Sequence, residues 1–316
     1  MTRLGYQIPN FTYPGVPAGQ LFPAIVAQAV EAEASGFDTV LVMDHFYQLP
    51  VLGTPDQEMI ECYTLLSALA QHTERVRLSA LVTGNTYRNP TLLAKTVTAL
   101  DVVSGGRAQL GIGAGWYELE HDSLGYEFGT FTDRFQKLEE ALQIIIGMLR
   151  GERPSLDGKW YKVSEALNSP APLSKIPIMI GGSGEKKTLR MVAQYADESN
   201  IICAPDDIGR KLDALAAHCE TYGRDPAEIT VSLQTSACIA PTHNEAIAEL
   251  DAYFERNPAA AARRGTTIAG DPDEVAEAFR KLKVSGIDGF TVNAPANGHV
   301  PGRVSLLGET LAPVVG

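Results

Sequence analysis

Four stretches of this chain combine residue types that could do chemistry. Met43-Asp44-His45-Phe46 sets a carboxylate beside an imidazole. An imidazole titrates near neutral pH, so His45 can give or take a proton within one turnover, while Asp44 can hold the polar edge of a cofactor. The alternative is a structural Asp–His pair that caps the next segment. Gly111-Ile112-Gly113-Ala114-Gly115-Trp116-Tyr117 lets a ligand approach the backbone at Gly113 and Ala114, with Trp116 as an aromatic wall. Tight packing would explain the same glycines. Gly181-Gly182-Ser183-Gly184 runs into Glu185-Lys186-Lys187, which reads as a helix start. Glycine-rich backbone at a helix N-terminus presents N–H groups and a dipole that favour an anion, and Lys186, Lys187 and Arg190 add positive charge. A tight turn without ligand is the other reading. In Ala80-Leu81-Val82-Thr83-Gly84-Asn85 small and polar residues replace an apolar run, so a flat group can pack there. A plain strand-to-loop transition is the alternative. Tyr47 and the loop after it are placed to contact substrate. His121, in WYELEH, reads as a surface residue rather than a pocket one; His72, His218, His243 and His299 read as surface or capping residues.

Other chemistries find no motif. There is no HExxH, no GxxxxGK[ST] and no GxSxG, and no metal is expected. The GxGxG string follows the fourth predicted strand and lacks an acidic residue at the dinucleotide-fingerprint spacing, which argues against a Rossmann site. A net charge of −12 argues against nucleic acid as a partner. Cys62, Cys203, Cys219 and Cys238 form no CxxC and read as reduced thiols of a cytoplasmic protein. The N-terminus has no apolar signal region, and no run approaches a membrane span.

These groups need a frame. Compact β-branched runs alternate with helical patterns along the 316 residues. Strands are predicted at 4–9, 37–43, 76–83, 108–113, 176–180, 198–202, 229–234 and 288–292. Helices are predicted at 21–35, 62–72, 91–103, 133–149, 185–195, 207–222, 244–255, 272–284 and 304–311. Such alternation indicates parallel βαβ units, and eight of them indicate a closed (β/α)8 TIM barrel, here one α/β domain over 1–316. An open doubly wound sheet fits the periodicity less well. Barrel enzymes draw reactive groups from the C-terminal strand ends, where all four stretches fall. Long insertion loops follow strand two (46–61) and the fourth helix (151–175); the second contains WYKV and can form a small hairpin.

The strings VMDHFYQLP, ALVTGNTYRNPTLLAKTVTALDVVSGGRAQLGIGAGWYELEH, IPIMIGGSGEKKTLRMVAQYAD and GDPDEVAEAF…GIDGFTVNAP resemble the bacterial luciferase-like monooxygenase superfamily over nearly the whole chain, most closely its branch of F420-dependent oxidoreductases. The resemblance implies a cofactor ring at the barrel mouth and its phosphate against Gly181, Gly182, Ser183 and Gly184. It implies ring-edge contacts from Asp44 and Thr83, and an acid–base role for His45. It also implies a non-prolyl cis peptide at Ala80–Leu81, or one residue away. In the sugar-phosphate dehydrogenases of this superfamily a glutamate follows the GxGxG string; Trp116 stands there instead, which points to a less polar substrate such as an enone, imine or ketone.

The expected activity is hydride transfer between coenzyme F420 and a small-molecule substrate, with His45 as the proton carrier. The rivals are an FMN-dependent monooxygenase fed by a separate flavin reductase, and a carrier that binds the cofactor without catalysis. A homodimer with no nucleic-acid or membrane partner is expected.

Overall fold

The structure is a computed structural model that describes residues 2–316. Its eight barrel strands, in chain order, are β1 (Leu4–Ile8), β2 (Thr39–Val42), β3 (Arg77–Ala80), β4 (Ala108–Gly113), β5 (Ile178–Gly181), β6 (Glu198–Ile201), β7 (Thr230–Ile239) and β8 (Gly289–Asn293). All neighbours are parallel, and β8 closes onto β1 with Leu4 opposite Phe290 and Gln7 opposite Asn293. The predicted closed barrel is what forms, and the open sheet is excluded.

Helices α1 (Leu21–Ala34), α2 (Cys62–Leu69), α3 (Pro90–Val103), α4 (Glu118–Leu124), α5 (Phe131–Leu149), α6 (Thr188–Tyr195), α7 (Ile208–Tyr222), α8 (His243–Arg256), α9 (Pro272–Lys283) and α10 (Arg303–Val315) surround it. Local chemistry sets several starts. Asn89 caps α3 with Pro90 at its first position, and Thr130 with Asp133 forms a capping box on α5. Strand faces turned outward join the helices in one apolar core that includes Leu78, Leu110, Ile178 and Phe290. A separate small cluster of Leu41, Leu81, Met179 and Val82 plugs the barrel beneath its mouth.

Three elements depart from the sequence reading. Strand β7 runs on to Ile239, and its far half pairs with an added parallel strand at Thr267–Gly270. Helix α4 inserts between β4 and α5. The last turn before α6 is non-helical over 185–187, so the helix starts at Thr188 rather than Glu185. The WYKV segment does form a small hairpin, Leu156–Asp157 with Lys162–Val163. All four cysteines are free. Among the described residues no helix is long and apolar enough to cross a membrane, and no cluster suits a metal ion.

Candidate active site

A cavity of about 530 Å³ opens at the C-terminal ends of the strands. Its floor is Leu81 and Val82, whose peptide bond is cis. That bond lies one residue beyond Ala80–Leu81. Ala80 is fully buried outside the cavity wall.

Glycines let this floor exist. A Cβ on Gly181 would lie 2.8 Å from Val82 Cγ1, and one on Gly113 would lie 2.9 Å from Val82 Cγ2. Gly182, at φ 121°, then turns the chain along the cavity edge. Thr188 at the start of α6 lines the same edge. Ser183 and Gly184 lie outside the wall. The Ser183 hydroxyl instead bridges to β6, donating to Ile202 O at 2.7 Å and accepting from its N–H at 2.7 Å.

His45 lines the wall, and its Nδ1 is 2.8 Å from Glu120 Oε2. Glu120 sits on α4 and is fully buried. Its Oε2 also accepts from the Tyr87 hydroxyl, and its Oε1 accepts from Phe46 N–H and, at 2.9 Å, Tyr47 N–H. Those four donors occupy the acceptor sites of one carboxylate. Burial pushes the Glu120 carboxyl up, but the bonds from His45, Tyr87 and the Tyr47 backbone outweigh it and hold the group below its ordinary value. An ionised carboxylate only accepts, so His45 carries its proton on Nδ1, and Nε2 is left for proton exchange. Burial and Glu120 push the Tyr87 hydroxyl well up, which keeps it a neutral donor.

Asp44 also lines the cavity but is only 2% exposed. Its Oδ2 pairs with Arg88 and accepts Gly84 N–H at 3.0 Å. Burial raises its carboxyl above the usual value against the pull of Arg88. Thr83 lines the wall with its hydroxyl 2.6 Å from that of Tyr63. Gly113, Ala114, Gly181 and Gly182 line it as well. Trp116 is 56% exposed and stands edge-on to His45, with ring centroids 5.8 Å apart. Tyr47 is outside the wall and contributes its backbone N–H to Glu120.

Two histidine readings need correction. His121 is neither on the surface nor in the cavity. It is fully buried, bonded to Tyr117 O at 2.8 Å and Thr86 Oγ1 at 2.7 Å, and so ties α4 to the loop after β3. His299 is half-buried and stacks on Tyr13 at 5.2 Å, at a smaller cavity away from His45.

Sequence reasoning missed Glu120, Tyr87, the amides of Gln7, Asn200, Gln234 and Asn293, and the cationic wall residues Arg134 and Arg263. The carboxylate beside His45 comes from Glu120, four residues after Trp116. Of the basic residues at the glycine turn, Arg190 is tied to Glu139 at 2.9 Å, and Lys187 lies over the Phe131 ring at 4.8 Å.

Comparison with known proteins places this arrangement. The model of the family described as luciferase-like monooxygenase matches residues 2–292. An F420-dependent glucose-6-phosphate dehydrogenase of Microbacterium testaceum is 29% identical over 86% of this chain and 80% of its own. A 5,10-methylenetetrahydromethanopterin reductase of Methanolobus tindarius is 29% identical over 78% of this chain and 68% of its own. An F420-dependent secondary alcohol dehydrogenase, solved with an F420-acetone adduct, superposes with a TM-score of 0.83 at 19% identity, covering 100% of this chain and 99% of that one. With its closed barrel, its strand-end cavity and a family match across nearly its full length, the chain belongs to the luciferase-like monooxygenase family.

Proposed function

We propose that this protein is an F420-dependent oxidoreductase acting on a small organic substrate of the enone, imine or ketone type. The observation that carries the reading is the His45–Glu120 pair at the wall of the cavity. The similarity to F420-dependent dehydrogenases and reductases supports the cofactor.

The residues present fit such a group. The cavity volume falls within the usual range for cofactor sites. Leu81 and Val82 offer an apolar face for a planar ring, and the amides of Gln7, Asn200, Gln234 and Asn293 offer polar contacts along one side. Gly181 and Gly182 would border the phosphate, with Ser183 fixing their position through Ile202. When bound, the deazaflavin supplies a hydride donor or acceptor.

The chain's own residues supply the rest. Glu120 holds the His45 ring with Nε2 available, and Nε2 gives or takes the proton that accompanies hydride transfer. Asp44, neutralised by Arg88, offers its second oxygen to the ring edge beside Thr83. Trp116 shields the reacting face and favours an apolar substrate body. Arg134, at the cavity mouth, and Lys187 beyond it favour a cofactor with a long anionic tail over FMN. A carrier would need the cradle but not the His45–Glu120 pair. A homodimer in the cytoplasm accompanies this reading.

The test is turnover of reduced F420 with candidate enones and imines, followed by deazaflavin absorbance under nitrogen and under air. Equal rates in both are expected. No turnover of reduced F420 in either atmosphere, with oxygen-dependent turnover when reduced FMN replaces it, would identify the FMN-type monooxygenase instead.

A further inference from the structure

The formal charge of the chain is −12, yet the wall of its main cavity is cationic. The one carboxylate among the wall residues is Asp44, which is already paired with Arg88. The same wall holds two guanidiniums, Arg134 and Arg263, and, among the described residues, no lysine. Among the described residues neither arginine has a carboxylate within 4.0 Å.

Their surroundings differ. Arg134 is held by carbonyl oxygens, Gly115 O at 3.1 Å and Gly129 O at 3.0 Å, and lies 3.8 Å over the Phe128 ring. It belongs to the mouth, in the first turn of α5. Arg263 lies at the other side, on the segment between α8 and the added strand. Its Nη2 donates to Ser236 Oγ at 2.9 Å, and that hydroxyl donates to Asn293 Oδ1 at 2.6 Å. Asn293 in turn donates to Gln7 Oε1 at 2.8 Å, which also accepts from Gln234 at 2.7 Å. Neutral dipoles thus orient the Arg263 fork without cancelling its charge. Burial pulls the guanidinium below its usual value, the sign of a cation lacking a counter-charge.

Even a half-buried cation such as Arg263 loses part of its hydration without an anion to replace it, and a cavity wall can keep such a group for a ligand. We infer that the substrate of this site is a carboxylic acid, and that Arg263 binds its carboxylate on the far side of the cavity from the glycine turn. A planar guanidinium matches a planar carboxylate with two parallel hydrogen bonds. A single fork flanked by amides suits that monoanion better than a phosphate dianion, for which the described wall residues offer no second cation on that side. The inference rests on the reading of the cavity as a cofactor-and-substrate site and narrows it: the reducible or oxidisable carbon belongs to an organic acid whose apolar body passes Trp116.

Calorimetric titration of the protein with benzoate and with benzamide, before and after saturation with F420, tests this. The two probes share an apolar ring and differ in charge. Benzoate is expected to bind about tenfold more tightly than benzamide, as one charged hydrogen-bond pair requires. Arg263→Gln should abolish that preference, and Arg263→Lys should keep part of it. Circular dichroism checks that the variants fold. Equal binding of the two probes, absence of benzoate binding, or a preference that survives Arg263→Gln would overturn the inference. So would tighter, Arg263-dependent binding of a sugar phosphate than of benzoate. A failure of F420 to bind would instead strike the cofactor reading, and the titration without F420 would still report on Arg263.

Discussion

Glu120 Oε2 and His45 Nδ1 are 2.8 Å apart, although 75 positions separate them in the chain. The contact joins a strand-end loop to α4 and fixes which imidazole nitrogen faces chemistry. Replacing Glu120 with Gln offers His45 an amide in place of a charge and removes the preference for a proton on Nδ1. Turnover should fall about 10²–10⁴-fold, with little change in cofactor affinity. Steady-state kinetics beside an F420 titration measures both; an unchanged turnover would remove Glu120 from the mechanism.

His45→Ala should lower turnover far more than it weakens cofactor binding. The ring lines the cavity but is one wall residue among many that would touch the cofactor. Loss of binding in proportion to loss of rate would make His45 a binding residue only.

The same carboxylate gives a pH signature. The folded-state value of Glu120 lies below its ordinary one, so its ionised form stabilises the fold. That contribution is complete above the unfolded value, about pH 4.3, and disappears as pH falls through the folded value. Thermal unfolding of wild type and Glu120→Gln should therefore differ most near neutral pH and converge in acid. A constant difference across that window would refute the assigned ionisation.

Arg88→Met should be among the most damaging single changes, at about 3–5 kcal/mol, because it leaves the Asp44 carboxylate buried and unpaired. Asp44 already lies above its usual value, and without Arg88 it would rise further. The folded variant then holds a proton that the unfolded chain releases, so its deficit should grow as pH rises above about 4. Adding Asp44→Asn should restore part of the stability. Chemical denaturation of the four proteins of this cycle decides it.

Gly181→Ala would put a Cβ at 2.8 Å from a Val82 methyl. Valine is stiff, and the barrel plug leaves it little room, so a loss of about 1–3 kcal/mol is expected, with weaker cofactor binding. Val82→Ala in the same chain should relieve the clash. If Gly181→Ala alone is neutral, the cavity floor is softer than the packing implies.

Much of this was legible before the structure. The alternation of short strand patterns with helical ones marks all eight barrel strands, most clearly at Thr39–Val42, where burial on both faces leaves a continuous apolar run. Strand ends then locate Asp44, His45, Thr83, Trp116 and the glycine turn. Glu120 was hidden because WYELEH shows three polar residues in a short helix and only tertiary packing turns Glu120 and His121 inward while Glu118 stays exposed. His121 was misplaced for the same reason, as its bonds to Tyr117 O and Thr86 Oγ1 hold it in the core. The start of α6 shifted because Glu185 is drawn to Lys211 at 2.6 Å and its carbonyl to His218 at 2.8 Å, which hold the turn out of helical form. The far half of β7, Ser236–Ile239, is cut off from its first half by the polar run Gln234-Thr235-Ser236 and shows itself through its pairing with Thr267–Gly270.

The central claim is that the cavity over Leu81 and Val82 holds F420. Calorimetric titration of the purified protein with F420 and with FMN, in one buffer, tests it most directly. Micromolar or tighter F420 binding with weak FMN binding is the predicted result. FMN binding tighter than F420, or no binding of either, would contradict it.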